Sequence, residues 1–500
     1  MSVLKIFVSA ALLSFALSAR ARPACEDINV NDPSVPECPT SGSTLLPETY
    51  PLMAAVVSDS DGGSEWVRSY VMNVLKAQSK NPPQFILPVS DETYSSVVAA
   101  IKKQAPNAAT AQKWLSSLTQ VPGDRYNWQQ DYFESFFDKK TGKPVVRKVQ
   151  GYDRDGNSFL NLSTGLQKNC NITTDGILPT PGEGDNGIRP GYYGGNIEAL
   201  GDFCVLGDDH FEGHEWDDYH KQFCGSDKNV IKAPTSFLMV GHADEMFKTV
   251  PVPGKKAPCN IAVAVASPRK AVDLMRANPS EKTFDFMGSL KGHDLTDRMR
   301  STSYARACHM INGDVQQIDT RDNGAVSLFY SLLNKMAYAG TIIGGTTDED
   351  ALRCANIKNG DFVRAFEQDS ELNQFNKIVQ SQMDSFIADV KAKFKERNHC
   401  EPQIIELPYL FQGSVVKENG KVTIEEGTGL SIFPNPSNGE VVGSTMILPD
   451  PANSTFRKYI SSEYQKLGLK TSYVDTQFAH SLYGNLHCSS HALRYCRPKR

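Results

Sequence analysis

Short, wholly apolar runs, each followed by a segment with helical spacing, set the strongest limit on how this chain can fold. LMAAVVSD, starting at Leu52, precedes SEWVRSYVMNVLKAQ, whose apolar positions recur at helical intervals. QFILPV precedes YSSVVAAIKKQ in the same way. NIAVAVASP and IIELPYLF are further buried-strand candidates, and FNKIVQSQMDSFIADVKAKFKE reads as a long helix. Strand and helix alternate to the end, which predicts an α/β fold rather than a β-sandwich. The stretch 150–232 is rich in Gly, Asp and Asn and is predicted to form loops that carry function. Length alone suggests several domains, but closed α/β barrels and propellers absorb 500 residues in one. With no repeat, low-complexity tract or Pro/Ser linker after residue 48, one large domain over 49–500 is expected. An irregular, Pro- and Cys-containing lead-in over 22–48 precedes it.

The N-terminus predicts the compartment. After MSVLK, the run IFVSAALLSFALSA ends in Ala19-Arg20-Ala21, a small-x-small pattern expected of a cleaved signal peptide over 1–21. The alternative is an uncleaved anchor, for which the run is short. No later segment is apolar enough to span a bilayer, so a secreted (extracellular) product is expected. The chain has 11 cysteines. In an oxidising compartment most should pair, and an odd count leaves a thiol over. Sequons at Asn161, Asn171 and Asn453 fit a glycosylated surface. A net charge of −5 with mixed signs gives no case for nucleic acid or an anionic membrane. The basic ending RPKR reads as a solvated tail.

Reactive side chains concentrate in NWQQDYFE (127–134), GGNIEALGD (194–202), VGHADE (240–245) and GNLHCSS (484–490). FLMV before VGHADE reads as a buried strand ending at Gly241. Were that strand to continue, His242 and Asp244 would share one face, the aspartate holding a cation and the histidine moving protons. A plain surface ion pair between them is the other reading. Cys488 is either half of a disulfide, with Cys496 a local partner, or an activated thiolate. The cluster DDHFEGHEWDDYH, with His210, His214 and His220, reads as a solvated acidic loop rather than a transition-metal site.

NWQQDYFE, GGNIE, FLMVGHADEMFKTVP and GNLHC, in that order along the chain, resemble the catalytic domain of protein-arginine deiminases, in the guanidine-modifying pentein superfamily. The resemblance does not extend to the two N-terminal β-rich domains of the vertebrate enzymes. The resemblance implies a five-bladed α/β propeller with pseudo-fivefold symmetry and a central polar pocket. It implies Cys488 as nucleophile, His242 as acid/base, and Asp131 and Asp244 as the carboxylates that grip a guanidinium. Trp128 would line the substrate's aliphatic stem, and Arg154 and Arg189 would grip its backbone carbonyls. That chemistry suits the residue types, because two carboxylates fix a planar cation that a thiolate can attack. His487 would serve only local geometry or charge.

The resemblance also implies Ca²⁺ beside the pocket, held by Gln130, Glu134, Glu198 and the carbonyls of Gly194 and Ile197, an all-oxygen set. A second calcium site is weakened by Tyr132, although Asp153, Asp155 and Asn157 in YDRDGNS offer oxygens at alternate positions. A plain turn is the competing reading there. The expected activity is calcium-dependent hydrolysis of peptidyl arginine to citrulline and ammonia, on protein or peptide arginine substrates. Rival readings are a deiminase or amidinotransferase for free arginine or agmatine, and a catalytically silent, calcium-stabilised binding protein.

Overall fold

The computed structural model describes residues 25, 28–39, 43–59, 64–122, 128–149, 158–178, 194–208, 218–255, 258–288, 290–300, 304, 308, 347–481 and 484–499. The leader over 1–21 lies outside the described residues, as do Asp153, Arg154, Asp155, Asn157, Arg189, His210 and His214. Among the described residues no helix is long and apolar enough to cross a membrane.

The first apolar runs form β1 (Leu52–Val57), β2 (Gln84–Leu87) and β3 (Leu118–Gln120). The next two sheets hold β4 (Phe133–Phe137), β5 (Pro144–Val149) and β6 (Thr173–Leu178), then β7 (Ile197–Leu200), β8 (Phe203–Gly207) and β9 (Val230–Ala233). A further sheet holds β10 (Phe247–Pro251), β11 (Ile261–Ser267) and β12 (Gln403–Pro408). Two small ribbons pair β13 (Phe411–Gln412) with β16 (Leu430–Ser431) and β14 (Val415–Glu418) with β15 (Lys421–Ile424). Last come β17 (Glu440–Val442), β18 (Thr445–Pro449) and β19 (Lys470–Val474), and finally β20 (Ser490–Arg494), which pairs with β1.

Five of these sheets repeat one topology. A strand pairs antiparallel with the next, and that central strand is followed by a helical crossover to a parallel partner. β4-β5-β6, β7-β8-β9, β10-β11-β12 and β17-β18-β19 all obey it, and β20-β1-β2 completes the set with β3 added at its edge. A parallel partner demands a crossover, which is why each central strand is followed by at least one helix: Ser64–Ala77, Ser158–Cys170, Asp218–Cys224, Pro268–Ala277 and Ser454–Lys466. Covered on both faces, β1 and β11 are buried at every position, which explains their unbroken apolar sequence. The predicted α/β class is observed.

Several expectations are corrected. The stretch 150–232 carries two helices and parts of two sheets among its described residues, with Asn161, Gly165 and Asn169 accommodated inside the helix Ser158–Cys170. Arg497 is not a solvated tail: it ion-pairs with Glu37 at 2.9 Å, and its carbonyl accepts from the Cys38 amide. Of the three sequons, Asn453 is fully buried as a helix N-cap, its amide donating to the Thr283 carbonyl at 2.8 Å, so it has no room for a glycan. Ten cysteines pair as 25–170, 38–496, 204–224, 259–400 and 308–354. Cys496 therefore serves the lead-in, not Cys488.

The Cys38–Cys496 bridge closes a sequence separation of 458 and ties the lead-in to the chain just after β20, at the end opposite Cys488. Replacing both cysteines by alanine is expected to lower stability by about 2–5 kcal/mol. The measurement is chemical denaturation against the parent; an unchanged midpoint would show that the bridge constrains nothing.

Candidate functional site

The chemistry sits where the first strand of each repeated unit begins. Gln130 and Asp131 lie on the short helix Gln129–Tyr132 that runs straight into β4, which carries Glu134. Gly194–Asn196 form a 3-10 turn into β7, which carries Ile197 and Glu198. His242 caps the 3-10 turn Ala243–Glu245 ahead of β10. Asn438 lies two residues before β17, and His487 and Cys488 just before β20. Chain entries and the first two residues of β4 and β7 present these side chains, so they meet without interrupting the sheets.

The strand expected at FLMV is absent. Phe237–Val240 forms turns and one bridge, and Gly241 adopts φ 76, a left-handed conformation that lets the chain bend into the site. His242 and Asp244 are therefore not partners across a strand face. His242 Nδ1 lies 3.5 Å from Asp131, whereas Asp244 accepts a 2.9 Å hydrogen bond from Nδ1 of His487. Cys488, the free thiol, places Sγ 3.4 Å from the same Asp244 oxygen. Gln130 donates its amide to the Cys488 carbonyl, and Ala243 donates to the Asn196 side chain. All five entries are thus in contact through named bonds.

Small residues make the fit possible. A Cβ on Gly195 would lie 2.7 Å from His242 Nδ1, and one on Gly194 2.2 Å from the Gln130 carbonyl oxygen. One on Gly484 would lie 2.2 Å from the Trp128 ring, so Trp128 packs directly on the loop that carries the thiol.

Three residues escaped the sequence reading. Asn438 accepts from the amides of His487 (2.8 Å) and Cys488 (3.2 Å) through Oδ1, while its Nδ2 donates to Cys488 Sγ at 3.1 Å. Glu48, the last residue of the lead-in, lies 3.2 Å from His487 Nε2 and 2.6 Å from Lys248 Nζ. Their signals are weak: Asn438 sits in the turn-rich PNPSNGE, Lys248 is a charge in an apolar strand, and Glu48 has no local pattern.

Burial dominates the electrostatics. It pulls His242 down to about 4 against the charge of Asp244, so this imidazole rests neutral. Burial, with Asp244, Glu245 and Asp131, pushes the Cys488 thiol well above its ordinary range. His487 goes the other way. Burial and Lys248 oppose its charge, but Glu198, Asp244 and Glu48 raise it to about 10, so it is an imidazolium. Burial raises Asp244, yet the hydrogen bond and charge of His487 hold it below the usual carboxylate range. Burial pushes Glu198 up to about 7, and burial plus Glu198 pushes Glu134 well above its ordinary value.

Glu198, Asp244 and His487 also bring ligand atoms within 4.8 Å of one another. His487 is no ligand, because both its nitrogens face carboxylates and carry protons. The oxygens left for a cation are those of Glu134 and Glu198, where Glu134 Oε2 is buried without a hydrogen bond. Of the predicted site, Gln130, Glu134, Gly194 and Glu198 are brought to one region. Of the cluster 208–220, the described His220 is buried in a helix.

The family model for protein-arginine deiminases matches residues 222–499, a range that includes His242, Asp244, Asn438, His487 and Cys488. Trp128, Gln130, Asp131, Glu134 and Glu198 precede it. No curated protein sequence matches the chain. Among solved structures, one provisionally named a peptidyl-arginine deiminase is similar at TM-score 0.48 and 10% identity, covering 91% of this chain and 99% of that one. The C. jejuni agmatine deiminase is similar at TM-score 0.44 and 12% identity, covering 90% and 95%. With ten cysteines bridged, unfolding without reductant is expected to expose one alkylatable thiol per described chain, in the peptide holding Cys488. Peptide mapping that finds Cys488 bridged would remove the nucleophile from consideration.

Proposed function

The chain belongs to the protein-arginine deiminase family, and from that we propose that it hydrolyses the guanidinium of arginine side chains in proteins or peptides, giving citrulline and ammonia. The observation that carries this reading is the pairing of one free, buried thiol with two carboxylates and a neutral histidine at the meeting of five chain entries. The five repeated sheet units are the parts that a five-bladed α/β propeller closes around such a pocket.

A guanidinium is planar and cationic, and its charge is spread over three nitrogens, which makes its carbon a poor electrophile. Asp131 and Asp244 each offer two oxygens to its N–H groups, fixing the plane and replacing water. The cation's arrival also changes the thiol. Cys488 is held protonated by burial among acids, and a positive charge beside it favours the thiolate. The thiol proton passes to His242, whose low basicity at rest makes it a ready donor once charged. The thiolate attacks the central carbon and forms a C–S bond. His242 then protonates one amino group, which leaves as ammonia, and a thiouronium remains. His242 next takes a proton from water, the hydroxide adds to the same carbon, and the C–S bond breaks to return the thiolate and release the urea of citrulline. The Asn438 amide, donating to Sγ, stabilises the thiolate whenever it forms.

Calcium fits the donor set. Glu134 and Glu198 are two buried carboxylates, both with raised proton affinity, Glu134 in part from the charge of Glu198, and a hard divalent cation is a partner that would let both ionise. Gln130, Gly194 and Ile197 supply the neutral oxygens. The bound ion would supply positive charge and tie the Asp131 helix to the 194–198 turn. Among the described residues, Glu48, Asp131, Glu134, Glu198, Asp244 and Glu245 face Lys248, Arg494 and His487 as buried cations, a deficit that a guanidinium and a divalent ion together would make good. A secreted location agrees with the disulfide content. A small guanidine such as agmatine is the second reading, favoured by how deeply the reacting groups are buried.

Ammonia release is expected from a blocked arginine peptide, lost in Cys488→Ser and lowered about a hundredfold in Gly195→Ala, whose methyl would displace His242. Turnover undiminished in Cys488→Ser would end the mechanism, and turnover of agmatine but not the peptide would transfer the reading to small guanidines. Calcium binding should release protons and weaken as pH falls through about 7, because protons then compete for Glu198. Calorimetry in buffers of different ionisation heat measures this; pH-independent binding would place the ion elsewhere.

A further inference from the structure

The buried groups behind Asp244 form a chain of their own. His487 donates Nδ1–H to Asp244 Oδ2 at 2.9 Å, and its Nε2 faces Glu48 Oε1 at 3.2 Å. That same Glu48 oxygen lies 2.6 Å from Lys248 Nζ, while Oε2 accepts the Val441 amide at 3.0 Å and sits 3.7 Å from Arg494. Glu48 is 8% exposed, Lys248 2% and His487 4%, so none of these charges is there for solubility. Burying them is costly, and replacing such a group by apolar residues is often neutral or stabilising, so stability alone does not account for it.

Geometry supplies another reason. Asp244 Oδ2 lies between the His487 ring and Cys488 Sγ, so the position of the ring decides where the carboxylate points relative to the sulfur. His487 and Cys488 are adjacent, and their amides share one acceptor in Asn438, so backbone and ring are clamped together. The ring alone could still swing about its side-chain torsions. Glu48 removes that freedom by fixing the far nitrogen, and Lys248 on β10 fixes Glu48 to the same entry that carries Asp244.

We infer that Glu48 and Lys248 are positioning residues for the reaction, acting through His487 to aim Asp244 at the space in front of the Cys488 sulfur. The last residue of the lead-in thus belongs to the working site, three contacts from the reacting carbon. This rests on the guanidinium reading of the pocket, since aim matters only if Asp244 grips a cation there.

The test uses two alkylating agents that differ in charge. Chloroacetamidine is a planar cation shaped like a guanidinium, and chloroacetamide is its neutral counterpart. With either, the Cys488 sulfur displaces chloride to form a thioether, its proton going to solvent. The ratio of the two inactivation rates reads the aim of the carboxylates without any turnover, so it stands even if arginine peptides are not substrates. A wild-type ratio near one, by contrast, would refute the guanidinium reading itself. Removing the pair as a unit, with Glu48→Ala and Lys248→Met, leaves neither partner buried alone and is expected to lower the ratio at least about tenfold. The chloroacetamide rate should stay within about threefold of wild type. Glu48→Gln, which leaves no cavity, should lower the ratio by about threefold, because a neutral amide holds the imidazolium more weakly than a carboxylate. If the pair-free protein fails to fold, Glu48→Gln decides alone. An unchanged ratio in the folded variants, including an equal fall in both rates, overturns the inference.

Discussion

Everything in this structure depends on keeping like charges close together in a buried space. Asp131, Glu134, Glu198, Asp244 and Glu245 are all in or beside one pocket, and each ionised carboxylate there raises the cost of the next. A chain tolerates that arrangement only if something positive belongs between the acids or if the acids stay protonated. Here both solutions operate. His487 and Lys248 neutralise one side permanently, whereas Glu134, Glu198 and Glu245 are left with raised proton affinity, open to a cation. The same negative potential pushes the Cys488 thiol toward its protonated form. Under the proposed function, selectivity for cations and restraint of the nucleophile would come from one electrostatic source.

The fold meets this demand by dividing it. No single loop carries more than a few of the acids, and each entry is anchored by its own small sheet, whose central strand is buried. Repulsion among the carboxylates is thus borne by five sheets whose hydrophobic cores are shared between neighbours, rather than by one flexible segment. The tight glycines at 194, 195 and 484 let backbones approach where a side chain would force the groups apart.

Much of this was legible in the sequence, for identifiable reasons. Central strands such as IAVAVAS are buried on both faces, so their composition announces them. His242, Asp244 and Cys488 lie in compact, polar-reactive motifs that stand out from apolar surroundings. The pairing within those motifs was not legible. Asp244 looked like the partner of its neighbour His242, but the 3-10 turn sends it to His487 instead. Asn438, Glu48 and Lys248 were missed because their meaning lies in partners 50, 439 and 200 residues away, and no local spacing encodes such distances. His487 was undervalued for the same reason: its importance comes from Glu48, at the far end of the chain.

The pairing of β1 with β20 has one more consequence, and it concerns time. The fifth sheet joins the first strand of the domain to the last, and the free thiol of Cys488 stands at the head of that last strand. During synthesis the other four units can collapse as they emerge, but this one waits for nearly the whole polypeptide. A reactive sulfur that arrives last, into acids already gathered, spends no period exposed on a half-made protein. The order in which the ribosome delivers the chain is itself a safeguard on the chemistry.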